Sequence, residues 1–390
     1  MLGPRARHIG GRFASAGAFV ALGAAIASDW RQEIQAKSVG DVIERAEMHD
    51  VHLHRTDYIQ GGPSLQGFLG MMGERVGRAT LTGIPLQQTW SYSNSGDNAP
   101  AYYLESDAPL YYYSFIDAVT ATAYLALEPE VRKRFDPMIV GFNPADMYAV
   151  DHIRRALQTF PGVFSGCGEF TIHKEFVSAK IAGGPPSLRD PSFDRILRFC
   201  AETGLVALIH CDIDVPFAKG DDLPAYARQM HDALVRHPDT AVIWAHLGLG
   251  RVVHPVRPSA SARATKRAPN HLEILRYFVE NDALRHVHFD ISWSEVARYI
   301  TETETGLEAT AQILNEHPTR FLFGSDALAP DGTEGYMSVY ESFAPLWERL
   351  RPNTRYLVTK GNYERLFDAA ALRVRAWEAA NTKNPDDRDR

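Results

Sequence analysis

From residue 41 to about residue 367, short apolar runs alternate with longer stretches in which apolar residues recur every three to four positions. The first pattern suits buried strands and the second amphipathic helices, and their alternation is the signature of βα units around a parallel sheet. Eight runs read as strands: residues 46–54, 110–115, 138–142, 163–170, 206–211, 241–246, 287–291 and 320–324. Helices are predicted over 149–160, 192–203, 224–236, 271–281 and 307–316, several of them ending before Gly or a Pro-containing turn. Eight strands with intervening helices favour a closed α/β barrel, a (β/α)8 TIM barrel, over an open sheet. Residues 362–379 also carry a helical pattern, so a barrel over 41–370 is expected to be followed by a C-terminal helix and charged tail over 371–390.

The interval 55–109 is too long for an ordinary barrel connection, and it holds Gly61-Gly62-Pro63 and a polar stretch over 91–98. Because it leaves the carboxyl end of the first strand, it is expected to be a long insertion folding over the mouth, where lids and binding loops sit. Packing on the outside of the barrel is the competing expectation.

Composition narrows the classes of function. With 390 residues, 45% of them hydrophobic and 23% charged, the chain is globular and can bury a large core. A net charge of -7 leaves no general footprint for nucleic acid, and the basic stretch 251–267 reads as a loop. Residues 1–27 differ from the rest: Arg5, Arg7 and Arg12 precede an Ala-rich apolar core and then Ala25-Ile26-Ala27, which is the layout of a secretory signal peptide. An exported or periplasmic protein is therefore expected, with the cytoplasm as the alternative. The apolar run is well short of the ~20 residues needed to span a bilayer. Cys167, Cys200 and Cys211 lie in apolar runs without metal-ligand spacing, as buried small hydrophobes would. Partner expectations are a small-molecule substrate, no nucleic acid and no membrane span, with a homo-oligomer left open.

The candidate chemistry gathers at strand ends. In Glu47-Met48-His49-Asp50-Val51-His52-Leu53-His54 the alternation ends in two histidines two positions apart, which a strand would place on one face. A chain with 15 histidines is expected to show about one such pair by chance, and a second does occur at His286-Val287-His288. Position separates them: the polar loop starts after His54, whereas an apolar run continues after His288. The fourth predicted strand carries Glu169 at its end, the fifth His210, the sixth His246 and the eighth Asp326. Barrel active sites collect at carboxyl strand ends, and four histidines with two carboxylates suit zinc or a similar divalent ion.

These residues resemble the metal-dependent amidohydrolase superfamily, in particular its amidohydrolase-related branch, over about residues 41–367. Asp50-Val51-His52-Leu53-His54 is similar to its Asp-x-His-x-His motif, and Gly361-Asn362 with Arg365-Leu366-Phe367 to its C-terminal signature. The resemblance implies a divalent metal, zinc with manganese as the alternative, as one or two ions held by His52, His54, Glu169, His210 and Asp326. Many binuclear relatives carry a bridging carboxylated lysine where Glu169 stands, and Lys174 competes with Glu169 for that part. Asp326 is implied as proton shuttle or ligand, and His246 as ligand or substrate-orienting group. Asp290 reads equally as support for a ligand or as structural, and Arg251 as a clamp for a substrate carboxylate or as a solvated loop residue. The implied activity is a hydrolase that sets a metal-activated water on an amide, ester or lactone bond. The alternatives are a metal-dependent non-oxidative decarboxylase of a small aromatic or unsaturated acid and, from another class, a binding protein on an inactive barrel.

Overall fold

The computed structural model describes residues 38–58, 61–86, 108–174, 177–213, 223–250 and 271–382, together with the backbone at 89–90 and 104–105. The signal-peptide expectation over 1–27 and the Arg251 clamp fall outside the described residues.

The described strands are β1 (Met48–Asp50), β2 (Leu53–Arg55), β3 (Val76–Gly83), β4 (Thr89–Trp90), β5 (Leu104–Glu105), β6 (Phe135–Ile139), β7 (Gly166–His173), β8 (Val206–Cys211), β9 (Val242–Trp244), β10 (Val287–Asp290), β11 (Phe321–Leu322) and β12 (Ala327–Leu328). β4 and β5 form a pair of their own. The other strands make one parallel sheet in the order β11-β10-β9-β8-β7-β6-β3-β2-β12, with β1 also on β3. Its two ends are successive pieces of the same stretch of chain. Two backbone bonds link that stretch to the break between β1 and β2, from Val51 N to Phe323 O at 3.1 Å and from Asp326 N to His52 O at 2.7 Å. The sheet is thereby curled into an α/β barrel.

Alternation along β8 shows which face is which. Val206 and Leu208 pack with Met138, Ile243 and Leu322 inside the barrel, while Ala207, Ile209 and Cys211 pack outward against the helices. By the same period of two, His210 points inward above Leu208. The inner cluster is completed from below by Tyr363, Leu366, Phe367 and Ala370 of the helix Asn362–Asn381. Asn362 Nδ2 donates to Pro318 O at 2.7 Å and to Phe321 O at 2.8 Å, and the Tyr363 hydroxyl donates to Asp136 at 2.7 Å. The C-terminal signature thus forms a floor for the barrel. One helix runs through Asn362–Asn381 and so carries the chain past residue 371.

The predicted helices appear as Ala149–Thr159, Pro191–Thr203, Ala225–Val235, His271–Val279 and Glu304–Glu316. Proline opens the second at its first turn, and the Thr303 hydroxyl caps the last by accepting from Gly306 N.

Two expectations are corrected. Residues 110–115 are not a barrel strand; they make only isolated bridges, Leu110 with Ile181 and Leu86 with Tyr112, before the helix Ile116–Leu125. Their place beside the first strand is taken by β3, whose inward positions Arg78, Thr80 and Thr82 are polar, so it has no apolar run to betray it. The interval 55–109 is accordingly not one insertion over the mouth, since it contains the helix Leu65–Met72 and β3.

Candidate metal centre

The break between β1 and β2 turns His52 and His54 into the barrel. Asp50 fixes the break: it accepts from His52 N at 3.0 Å, from Ser325 N at 2.8 Å, from Ser325 Oγ at 2.6 Å and from the Tyr336 hydroxyl at 2.8 Å. Burial raises the Asp50 carboxyl above its ordinary value, against the lowering by these bonds. At Gly324 a Cβ would lie 2.7 Å from His52 Cβ, so only glycine lets the last strand pass this close to the first.

Donor atoms of four residues converge. His52 Nε2 lies 3.1 Å from His54 Nε2, and Asp326 Oδ1 lies 3.1 Å from His54 Nε2 and 3.6 Å from His52 Nε2. Glu169 turns Oε2 toward His54 Nε2 at 3.5 Å and Oε1 toward His52 Nε2 at 3.6 Å. Glu169 Oε1 also faces His210 Nδ1 at 2.6 Å and His246 Nε2 at 3.5 Å. A divalent ion held at about 2.0–2.2 Å from each ligand of a tetrahedron sets those ligands about 3.3–3.6 Å apart, close to the spacing seen here. Asp326 Oδ1 is buried with no hydrogen-bond geometry to any partner, and two imidazole nitrogens meet head to head; both features fit a shared cation. The groupings His52/His54/Glu169 and Glu169/His210/His246 each hold three such atoms within reach of one ion.

The charge balance favours a cation as well. Burial alone would raise the Glu169 carboxyl, but the positive field of Lys174, His210 and His52 holds it well below the usual carboxylate range. Burial disfavours a charged His52, yet Glu169 and Asp290 push its pKa well above the ordinary histidine value.

Outer atoms hold the rings. His52 Nδ1 donates to Asp290 Oδ2 at 2.9 Å, while Asp290 Oδ1 accepts from His246 N at 2.8 Å. Ser292 Oγ donates to Asp290 Oδ1 at 2.5 Å and accepts from His246 Nδ1 at 2.8 Å, and His210 Nε2 faces Asp212 Oδ1 at 2.9 Å. His246 (φ 56°), Trp293 (φ 84°) and Asp326 (φ 53°) are all left-handed without being glycine. Strain of about 1–3 kcal/mol at each such residue persists only where surrounding structure enforces it, and functional sites are where it gathers.

A pocket opens on this cluster, walled by Pro85, Leu86, Tyr112, Trp293 and Leu328, with Lys174 at its side. The Tyr112 hydroxyl is buried without a hydrogen-bond partner, and burial pushes its pKa well above the ordinary tyrosine value. Tyr112 is held in place by a small core of Leu86, Leu110, Val177 and Ile181.

The structure therefore brings together His52, His54, Glu169, His210, His246 and Asp326, and gives Asp290 a ligand-supporting place. Glu169, rather than Lys174, enters the donor cluster. The second pair, His286 and His288, bonds instead to the carbonyls of Leu234 and Thr319. Sequence reasoning missed Ser292, although its spacing of two from Asp290 was a usable signal. It also missed Tyr112, which carries no motif spacing along the chain.

Among known proteins, the family model described as amidohydrolase matches residues 50–369. An amidohydrolase from Burkholderia multivorans with bound zinc aligns over 82% of this chain and 99% of its own, at 14% identity and a TM-score of 0.48. 2,6-Dihydroxybenzoate decarboxylase from Rhizobium aligns over 83% and 99%, at 16% identity and 0.47. Dihydroorotase from Campylobacter jejuni aligns over 82% and 83%, at 11% identity and 0.47. No curated protein matches the chain.

Proposed function

Since the chain belongs to the amidohydrolase family, we propose that it is a metal-dependent hydrolase of an amide, ester or lactone bond in a small molecule. The observation that carries this reading is the convergence of His52 Nε2, His54 Nε2, Asp326 Oδ1 and the Glu169 carboxylate at 3.1–3.6 Å. We read β1 with β2, and β11 with β12, as interrupted strands, which gives the eight positions of a (β/α)8 barrel with this cluster at their carboxyl ends.

The residues that would hold the ion are His52, His54, Asp326 and Glu169, and the facing pair His210 and His246 offers room for a second beside Glu169. Zinc suits the donor set, with manganese as the alternative. Such an ion supplies Lewis acidity that activates water near neutral pH and polarises a carbonyl. Asp326 takes the proton of the attacking water on its carboxylate and returns it to the leaving group. His246, fixed through Ser292 and Asp290, orients the substrate carbonyl beside the Trp293 ring, 5.3 Å away. Pro85, Leu86 and Leu328 keep water from the substrate's apolar part, and Tyr112 donates to an acceptor group on it. Among the described residues no helix is long and apolar enough to cross a membrane.

Zinc-loaded protein incubated with a panel of esters, lactones, amides and unsaturated acids tests the reading. New carboxylate is the expected product. Carbon dioxide in its place would show the decarboxylase chemistry, and bound zinc with no turnover on any of them would point to a binding protein.

A further inference from the structure

Three of the four inward histidines have a partner on their second ring nitrogen. His52 Nδ1 faces Asp290 at 2.9 Å, His246 Nδ1 faces Ser292 Oγ at 2.8 Å, and His210 Nε2 faces Asp212 at 2.9 Å. His54 breaks the pattern: its Nδ1 is buried without a hydrogen-bond partner. A neutral imidazole that offers the Nε2 lone pair to a metal must carry its proton on Nδ1, and a buried N–H is costly to leave unmade.

The sheet register shows where its acceptor stands. His54 is aligned with Leu328 on β12 and with Thr82 on β3. Aligned residues of neighbouring strands share a face about 4.8 Å apart. Leu328 has no polar side-chain atom. Thr82 has a hydroxyl that is fully buried and likewise without a partner. Two positions earlier on the same face of β3, the Thr80 hydroxyl donates to Val51 O at 2.7 Å, so the row of threonines on this strand already serves the break in the first strand.

We infer that Thr82 is the positioning residue of His54: its hydroxyl accepts the Nδ1 proton, directly or through one water, and holds the Nε2 lone pair toward the metal side. Two buried groups that each lack a partner, one a donor and one an acceptor, are thereby satisfied together. The inference rests on the metal reading proposed above.

The test compares wild type with Thr82→Val, which keeps shape and loses the hydroxyl, and with Thr82→Ser, which keeps the hydroxyl. Zinc dissociation constants are measured by chelator competition, and the His54 ring by nitrogen NMR of the metal-free protein. Loss of such an outer partner weakens metal binding by about 10- to 100-fold, and that is expected for Thr82→Val, with Thr82→Ser close to wild type. The His54 ring should hold its proton on Nδ1 in wild type and distribute it over both nitrogens in Thr82→Val. Equal zinc affinity in wild type and Thr82→Val would overturn the inference, as would an equal loss in Thr82→Val and Thr82→Ser, which marks packing alone. A wild-type protein that takes up no zinc overturns the metal reading instead, and the ring tautomer then decides the role of Thr82 by itself.

Discussion

Asp290 binds His52 through one oxygen, Oδ2 to Nδ1 at 2.9 Å, and with the other it accepts from the backbone N–H of His246 at 2.8 Å. One carboxylate on β10 therefore ties together the ring of His52, at the break between β1 and β2, and the backbone of His246, just past β9. Asp290→Asn keeps the shape but replaces an ionised acceptor with an amide, and removing such support typically costs 10- to 100-fold in metal affinity. Chelator competition on the purified variant should show a loss of about that size. Wild-type affinity would mean that Asp290 serves the barrel rather than the metal.

Asp326→Asn separates the two parts open to that residue. As proton shuttle, its loss should lower turnover by about 10²- to 10⁴-fold with metal content near wild type. As a ligand, its loss should lower occupancy, and added metal should restore part of the rate. Metal analysis beside steady-state rates distinguishes the two, and unchanged activity would leave neither standing.

Tyr112→Phe should move stability and substrate binding in opposite directions. The hydroxyl is buried without a partner in the free protein, and an unmade hydrogen bond of this kind costs about 1–3 kcal/mol. The variant is expected to gain about 1 kcal/mol in urea unfolding while its KM for the best substrate rises. A loss of stability with KM unchanged would mean that the hydroxyl supports the loop alone.

His288 predicts an acid-sensitive fold. Burial, helped by the nearby charges of Arg365 and Arg320, lowers its pKa to about 3, and its Nδ1 donates to Thr319 O at 3.1 Å. Between an unfolded value of about 6.5 and the folded one, only the unfolded chain takes up the proton. Stability is therefore complete above about pH 6.5 and falls as pH drops, by up to about 1.4 kcal/mol per unit from this ring. His288→Asn should shrink the difference in unfolding free energy between pH 7 and pH 5 by about 2 kcal/mol, read as a difference between the two proteins so that shared effects cancel. An unchanged difference would show that the ring is already charged in the fold.

Much of the barrel was legible because its strands bury both faces and so read as apolar runs, as in Val206-Ala207-Leu208-Ile209. The ligand set was legible for a related reason: charged and imidazole side chains at the ends of such runs have no structural reason to be there. β3 escaped notice because Arg78, Thr80 and Thr82 occupy its inner face, where Arg78 pairs with Asp136 and Thr80 with a backbone carbonyl. Residues 110–115 looked like a strand because aromatics and leucine suit both a strand and the small core that Leu110 shares with Val177 and Ile181. Tyr112 and Thr82 owe their significance to an unmet hydrogen bond, a property of packing that no spacing along the chain encodes.

The junction of the first strand with the last, and the floor built from Asn362–Asn381, constrain the order in which the molecule can be made. During synthesis β1 and β2 emerge early, yet Phe323, Ser325 and Tyr336, which complete their surroundings, follow some 270 residues later. Until then the nascent chain presents an unpaired parallel edge carrying two histidines, the kind of edge that recruits wrong partners. Contacts this distant in sequence form slowly, so ring closure is expected to be the late step of folding. A metal ion that meets the chain before closure would find His52 and His54 without Asp326.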